Sequence, residues 1–178
     1  MLILASQSPR RKELLKLIVP DFKIIPADVD EHVHVAPEEL PAAASKLKAE
    51  AIKKDHPNDD VLGCDTVVII DGELLGKPKD EEDAFNMLRK LSGKKHVVIS
   101  GYTYIKGNKS ITRSVKTYVY FNELSDELIY RYIKSGSPMD KAGAYGIQDK
   151  EYNLVHHIEG SLYNVIGLPV EDIKENCF

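Results

Sequence analysis

The sequence predicts an α/β domain, on three observations. Short apolar, β-branched runs such as Val67–Ile70 alternate with stretches whose apolar residues recur at helical spacing. The chain begins with a strand–loop–helix unit. Leu2–Ala5 reads as a strand, Ser8 as an N-cap, Pro9 as the first helical position, and Leu14, Leu15 and Ile18 as the buried stripe. Asp71-Gly72 is a two-residue hairpin signal that turns the most apolar strand back through Glu73-Leu74-Leu75.

The remaining elements follow in order. Phe22–Ile25 alternates as a second strand, and Pro37–Lys54 is a long Ala-rich helix with Leu40, Leu47 and Ile52 among its apolar positions. Asp80 caps a helix whose first turn is acidic and whose stripe is Ala84, Met87, Leu88 and Leu91; Gly93 ends it. His96–Ile105 and Ser110–Phe121 are strands joined by a Gly107-Asn108 turn. Ser125 caps a helix running to Ile133 with Leu128, Ile129 and Tyr132 facing inward. Pro138–Gln148 is an irregular stretch rich in glycine and alanine. Val155–Ile158 is a strand, Gly160–Pro169 a second glycine-bearing turn region, and Pro169 opens a helix ending near Asn176.

With 178 residues, the chain suffices for one domain, residues 1–178, with two lobes allowed within it. Its 43% hydrophobic and 29% charged residues are those of a soluble globular protein. The net charge of −4, from 24 basic and 28 acidic side chains, argues against a bulk nucleic-acid binder. No apolar run reaches membrane-spanning length, and the first residues place basic groups after the apolar ones, the reverse of a signal peptide. Cys64 and Cys177 are the only cysteines, which excludes a disulfide framework or a zinc cluster; together these features point to the cytoplasm. Cys64 reads as a small buried apolar residue. Signatures of P-loop, dinucleotide-binding, nucleophile-elbow and zinc-protease proteins are all missing from the sequence.

Several residues sit where bland and chemical readings compete. Asp65 is a carboxylate at the entrance to the most apolar strand, a costly place unless it is paired, hydrogen-bonded or metal-bound. Lys77 is held between Gly76 and Pro78. The two are either a structural Asp and a solvated turn lysine, or the acid and base of a metal–phosphate site. Ser6, Ser8, Arg10 and Arg11 surround one helix start, as an anion site or as a solvated arginine pair. Asp28-Val29-Asp30-Glu31 is an acidic loop from which Glu31 can offer oxygen to a hard cation. His32 and His34 read as loop residues, Lys46 and Lys48 as solvated helical lysines.

Six stretches, ASQSPRRKELL, VDE, GCDTVV, GKP, DKAGAYGIQ and GSLYNVIGLP, occur in order along nearly the whole chain. Together they resemble the Maf family of nucleoside triphosphate pyrophosphatases. The resemblance implies a bent mixed β-sheet flanked by helices, two lobes around a cleft, and a fold similar to the inosine triphosphate pyrophosphatases. It implies hydrolysis between the α and β phosphates, a divalent cation (Mg²⁺ or Mn²⁺), and a homodimer, as in many members. By the same resemblance, Asp65 is the proton acceptor and Ser6, Ser8, Arg10 and Arg11 form the phosphate-binding loop. Glu31, Lys48 and Lys77 are polar residues of the cleft, and Arg10, Thr66 and Gln148 bear on substrate choice. Thr66 after the aspartate, with Gln148, resembles the branch preferring dTTP and UTP; the 7-methyl-GTP branch carries Gln and Glu at these places. One departure is visible. That branch continues with Gly after GIQ, whereas Gln148 is followed here by Asp149-Lys150-Glu151, which leaves the form of this loop open.

The chemistry then expected is a grip on a polyanionic tail by Arg10, Arg11 and Lys77. Glu31 and Asp65 hold the cation, and Asp65 orients or deprotonates water. Gln148 can both donate and accept toward the pairing edge that uracil and thymine share. Two rivals differ in class. One is a pyrophosphatase for 7-methyl-GTP or noncanonical purines; the other is a non-catalytic nucleotide sensor in cell division, which would bind nucleotide without releasing pyrophosphate.

Overall fold

In the computed structural model, residues 1–31 and 33–178 are described; His32, expected in a loop, lies outside them. Among the described residues, seven strands form one mixed sheet in the order β2–β1–β3–β5–β6–β7, with β4 paired to β3. The strands are β1 Leu2–Leu4, β2 Lys23–Ile24, β3 Asp60–Ile70, β4 Glu73–Leu75, β5 Lys95–Lys106, β6 Lys109–Phe121 and β7 Val155–Glu159. Strand β1 is parallel to both β2 and β3, whereas β3–β4 and β6–β7 are antiparallel. The helices are α1 Pro9–Leu15, α2 Leu40–Asp55, α3 Glu81–Leu91, α4 Asp126–Lys134, α5 Leu162–Ile166 and α6 Val170–Cys177. A mixed sheet with helices is the α/β fold expected. The chain divides into two compact units, one of residues 1–66, 99–115 and 163–178, the other of residues 67–98 and 116–162.

In the first unit β1 is buried on both sides, as a strand with parallel neighbours should be. Leu2 and Leu4 join a cluster with Leu14, Leu15, Leu62, Cys64, Tyr102 and Leu168, while Ile3 and Ala5 join Ala49, Ile52, Val61 and Ile105. The period-two alternation thus divides one short strand between two cores. Helix α2 comes very close to the sheet. A Cβ on Gly63 of β3 would lie 2.5 Å from the Ser45 carbonyl oxygen, and one on Gly101 of β5 would lie 2.3 Å from the Ala42 nitrogen. Backbone rests on backbone there, which glycine alone permits. Ser45 Oγ, fully buried, satisfies itself at 2.8 Å from Thr103 Oγ1.

In the second unit the Asp71-Gly72 turn has φ of 51° and 76°, the left-handed pair that a two-residue hairpin requires. Helices α3 and α4 pack together, capped as expected: Asp80 accepts from the Asp83 amide at 2.7 Å, Ser125 from the Leu128 amide at 3.1 Å. His96 is buried between Phe121 and Tyr145, with ring centroids 5.2 and 5.4 Å away. Its Nε2 lies 2.7 Å from the Tyr145 hydroxyl, while Nδ1 is buried and has no hydrogen-bond partner among the described residues.

Four expectations need correction. The central strand begins at Asp60, not Val67, because residues 60–62 pair with β1; Asp65 therefore lies within the strand and not at its entrance. The long helix opens as a 3₁₀ turn over Pro37–Glu39 and becomes α-helical at Leu40. The second strand shortens to Lys23–Ile24. The turn region Gly160–Pro169 contains a short helix, Leu162–Ile166, too brief for a periodic signal.

Two predictions follow from these packings. Gly101→Ala should lower unfolding free energy by about 2–3 kcal/mol in urea denaturation, since the backbone of α2 must shift to admit the methyl. Burial lowers the His96 pKa from the usual 6.5 to about 4, so the unfolded chain binds a proton first as pH falls. The stability held above about pH 6.5 should decline toward pH 4, by about 3 kcal/mol, and His96→Gln should flatten that decline in urea titrations at several pH values.

Candidate active site

Two bonded groups of side chains meet at consecutive residues of β3, both in the first unit. The first is built on Lys48 of α2. Its Nζ lies 3.3 Å from Asp65 Oδ1, 3.1 Å from Glu31 Oε1 and 3.3 Å from the Cys64 carbonyl oxygen. The close seating of α2 is what delivers this ammonium; Lys48 is 12% exposed and Asp65 17%, whereas Glu31 stands half open at 47%. Burial raises the Asp65 pKa above the usual carboxylate range; the charges of Lys48 and Arg11 oppose the rise, and Glu31 adds to it. Burial likewise raises the Cys64 thiol, which sits 3.5 Å from the Gly167 carbonyl oxygen as a weak donor. Lys48 is therefore not the solvated helical lysine that its position suggested.

The second group is built on Arg11. Its Nε donates to the Gly167 carbonyl oxygen at 2.8 Å, Nη1 to Ser6 Oγ at 3.3 Å and Nη2 to Thr66 Oγ1 at 3.1 Å. Three of the five guanidinium N–H groups are thus bound within the protein, so Arg11 braces the loop as well as charging it. Ser6 Oγ also accepts from the Ser8 amide at 3.2 Å, and Ser8 Oγ caps α1 by accepting from the Arg11 amide at 3.3 Å. Thr66 Oγ1 lies 2.8 Å from Ser100 Oγ. The hydroxyls expected to face phosphate are engaged in shaping the loop. Arg10, in the first turn of α1, is half-buried.

Lys77 and Gln148 belong to the second unit. Lys77 is exposed in the loop between β4 and α3, where the Gly76 carbonyl oxygen accepts from the Gly143 amide at 3.1 Å. Gly143 adopts a φ of 74°, and a Cβ there would come within 2.9 Å of Val68 Cγ2. Gln148 is exposed in a turn. His34 is an exposed loop residue, as expected. Ser100 and the Gly167 carbonyl were not foreseen. Gly167 reaches Arg11 across 156 positions of chain, and no local pattern announces such a contact.

Glu31 and Asp65 converge on one ammonium, and among the described residues no three or more His, Cys, Asp or Glu side chains gather as a metal cage. Two hard carboxylate oxygens do not make a closed structural site. They do fit a small divalent cation that keeps its remaining positions for water and phosphate oxygens.

The fold is that of the Ham1 protein of Staphylococcus aureus, with a TM-score of 0.50 over 70% of this chain and 72% of that one, at 21% identity. The sequence narrows the class: the family described as Maf-like protein matches residues 1–176, and the chain belongs to the Maf family. Relatives include a protein of Thermococcus gammatolerans, 49% identical over 97% of this chain and 93% of its own, and one of Thermosipho africanus, 51% identical over 97% and 89%. Both are named dTTP/UTP pyrophosphatase.

Because Arg11 serves three separate acceptors, a single ammonium cannot replace it. Arg11→Lys should lower unfolding free energy by about 1–3 kcal/mol in chemical denaturation, and an unchanged midpoint would show the brace to be dispensable.

Proposed function

We propose that this chain hydrolyses dTTP and UTP between the α and β phosphates, releasing the nucleoside monophosphate and pyrophosphate. The observation that carries the reading is Asp65: a largely buried carboxylate paired with Lys48, one residue from the hydroxyl that holds Arg11. The full-length similarity to the Thermococcus and Thermosipho enzymes supports the substrate pair.

The roles follow from the side chains. A triphosphate brings about four negative charges, and the arginine-bearing loop of Arg10 and Arg11 supplies fixed positive charge against them. Ser6, Ser8 and Thr66 keep that loop in shape. Asp65 takes a proton from the attacking water at a carboxylate oxygen. The water oxygen bonds to the α-phosphorus as the bond to the bridging oxygen breaks, and pyrophosphate leaves. An ordinary aspartate is a weak base for this step, and the burial around Asp65 favours the neutral form it takes on accepting the proton. Lys48 balances one of the two carboxylate charges throughout. A divalent cation, Mg²⁺ or Mn²⁺, held by Glu31 and Asp65, would supply polarisation of the phosphate oxygens. In the second unit, Lys77 is assigned to the phosphate tail and Gln148 to the pairing edge common to uracil and thymine, toward which its amide can donate and accept.

Homodimer formation and a cytoplasmic setting belong to the same reading. Its free thiols, Cys64 and Cys177, are in keeping with that setting, and among the described residues no helix is long and apolar enough to cross a membrane.

Pyrophosphate release should be measured across dTTP, UTP, CTP, 7-methyl-GTP and ITP with Mg²⁺ or Mn²⁺. Turnover greatest with dTTP and UTP is expected, abolished by chelation and restored by the cation. Preference for 7-methyl-GTP or ITP, or tight binding with no release, would overturn the reading. Asp65→Asn should reduce kcat by about a hundredfold or more with an unchanged circular dichroism spectrum.

A further inference from the structure

The turn that carries Gln148 is held by a small set of polar bonds, all within the second unit. The Asp149 amide closes the turn on the Gly146 carbonyl oxygen at 3.0 Å. The Gly146 amide donates to the Tyr132 hydroxyl at 2.9 Å, and that hydroxyl donates to Asp149 Oδ2 at 2.6 Å. Ser137 Oγ donates to the same carboxylate oxygen at 2.5 Å, and Lys141 Nζ donates to the Ser137 carbonyl oxygen at 2.6 Å. Both ends of the turn are thereby tied to one phenol on α4. Tyr132 is fully buried, and burial raises its pKa, so the phenol keeps the proton it donates. Charge-assisted bonds of this length are the strong ones.

A cavity of about 310 Å³ borders the turn, lined among others by Ile147, Asn153, Leu154 and Val155. Apolar contact on that side leaves room for the backbone to move. Gly146 sits where a Cβ would lie 2.7 Å from Lys141 Cε and 3.2 Å from Asp149 Oδ2, so the clamp closes tightly over a residue without a side chain. Asp149, whose Oδ2 accepts from both Tyr132 and Ser137, is the centre of the arrangement.

We propose that Asp149 is a positioning residue for base selection: through Tyr132 and Ser137 it fixes the turn that presents Gln148 to the pyrimidine ring. This rests on the dTTP/UTP reading and deepens it. A loosened turn leaves the chemical step intact, because Asp65 and its partners belong to the other unit, but it weakens the discrimination that a fixed amide provides.

The test compares the parent protein with Asp149→Ala, Tyr132→Phe and Asp149→Asn, the second of which keeps the buried ring. In Asp149→Ala and Tyr132→Phe, hydrogen exchange of amides 146–149 should quicken by about tenfold or more. KM for dTTP and UTP should rise by about tenfold with kcat within about twofold, and the kcat/KM preference for UTP over CTP should shrink by a similar factor. Asp149→Asn retains an acceptor oxygen and should recover most of the preference. Parent-like exchange in both clamp variants overturns the clamp. An unchanged UTP/CTP preference in an active protein overturns the role in base selection. A parent protein inactive on every triphosphate overturns the proposed function, and the base-selecting role with it.

Discussion

Everything at the candidate site depends on how closely α2 lies on the sheet. Gly63 and Gly101 remove the two side chains that would hold the helix away, and Ala42, Ser45 and Ala49 present only small groups in return. The buried Ser45–Thr103 hydrogen bond fixes the register of helix against strand. Only at this separation does the Lys48 ammonium reach Asp65 and Glu31 at once. A helix displaced by the thickness of one methyl group would weaken the pairing of a largely buried carboxylate with its nearest counter-charge, a costlier change than the loss of one apolar contact.

Asp65 therefore lives between opposing demands. Burial favours its neutral form; Lys48 and Arg11 favour the charged one. A carboxylate in this balance stays ionisable yet gains basicity, which is the property that the proposed proton abstraction from water asks of it. Arg11 shows the same economy. Its fork ties together the loop after β1, Thr66 on β3 and the carbonyl of Gly167, so the group that charges the site also assembles it.

Much of this was legible in the sequence. The caps at Ser8, Asp80 and Ser125 and the Asp71-Gly72 turn are local signals, each with a local cause, and the structure bears out all four elements they mark. The start of β3 was misplaced because its first residues are ordered by pairing with β1, some sixty positions earlier in the chain. Helix α5 escaped notice because five residues between glycines show no period. Lys48 looked like any helical lysine, since nothing along α2 reveals which face meets the sheet over glycine.

By itself the sequence determined the α/β class, the order of nearly every element and which short stretches gather charge, because these follow from periodicity, capping and side-chain chemistry over short spans. The tertiary structure alone decided which of those charges meet: that Lys48 serves both Glu31 and Asp65, that Arg11 is a brace, and that Asp149 clamps the Gln148 turn. Such pairings join segments far apart in the chain, and their geometry is set by backbone packing, which leaves no trace in the identity of any one neighbour.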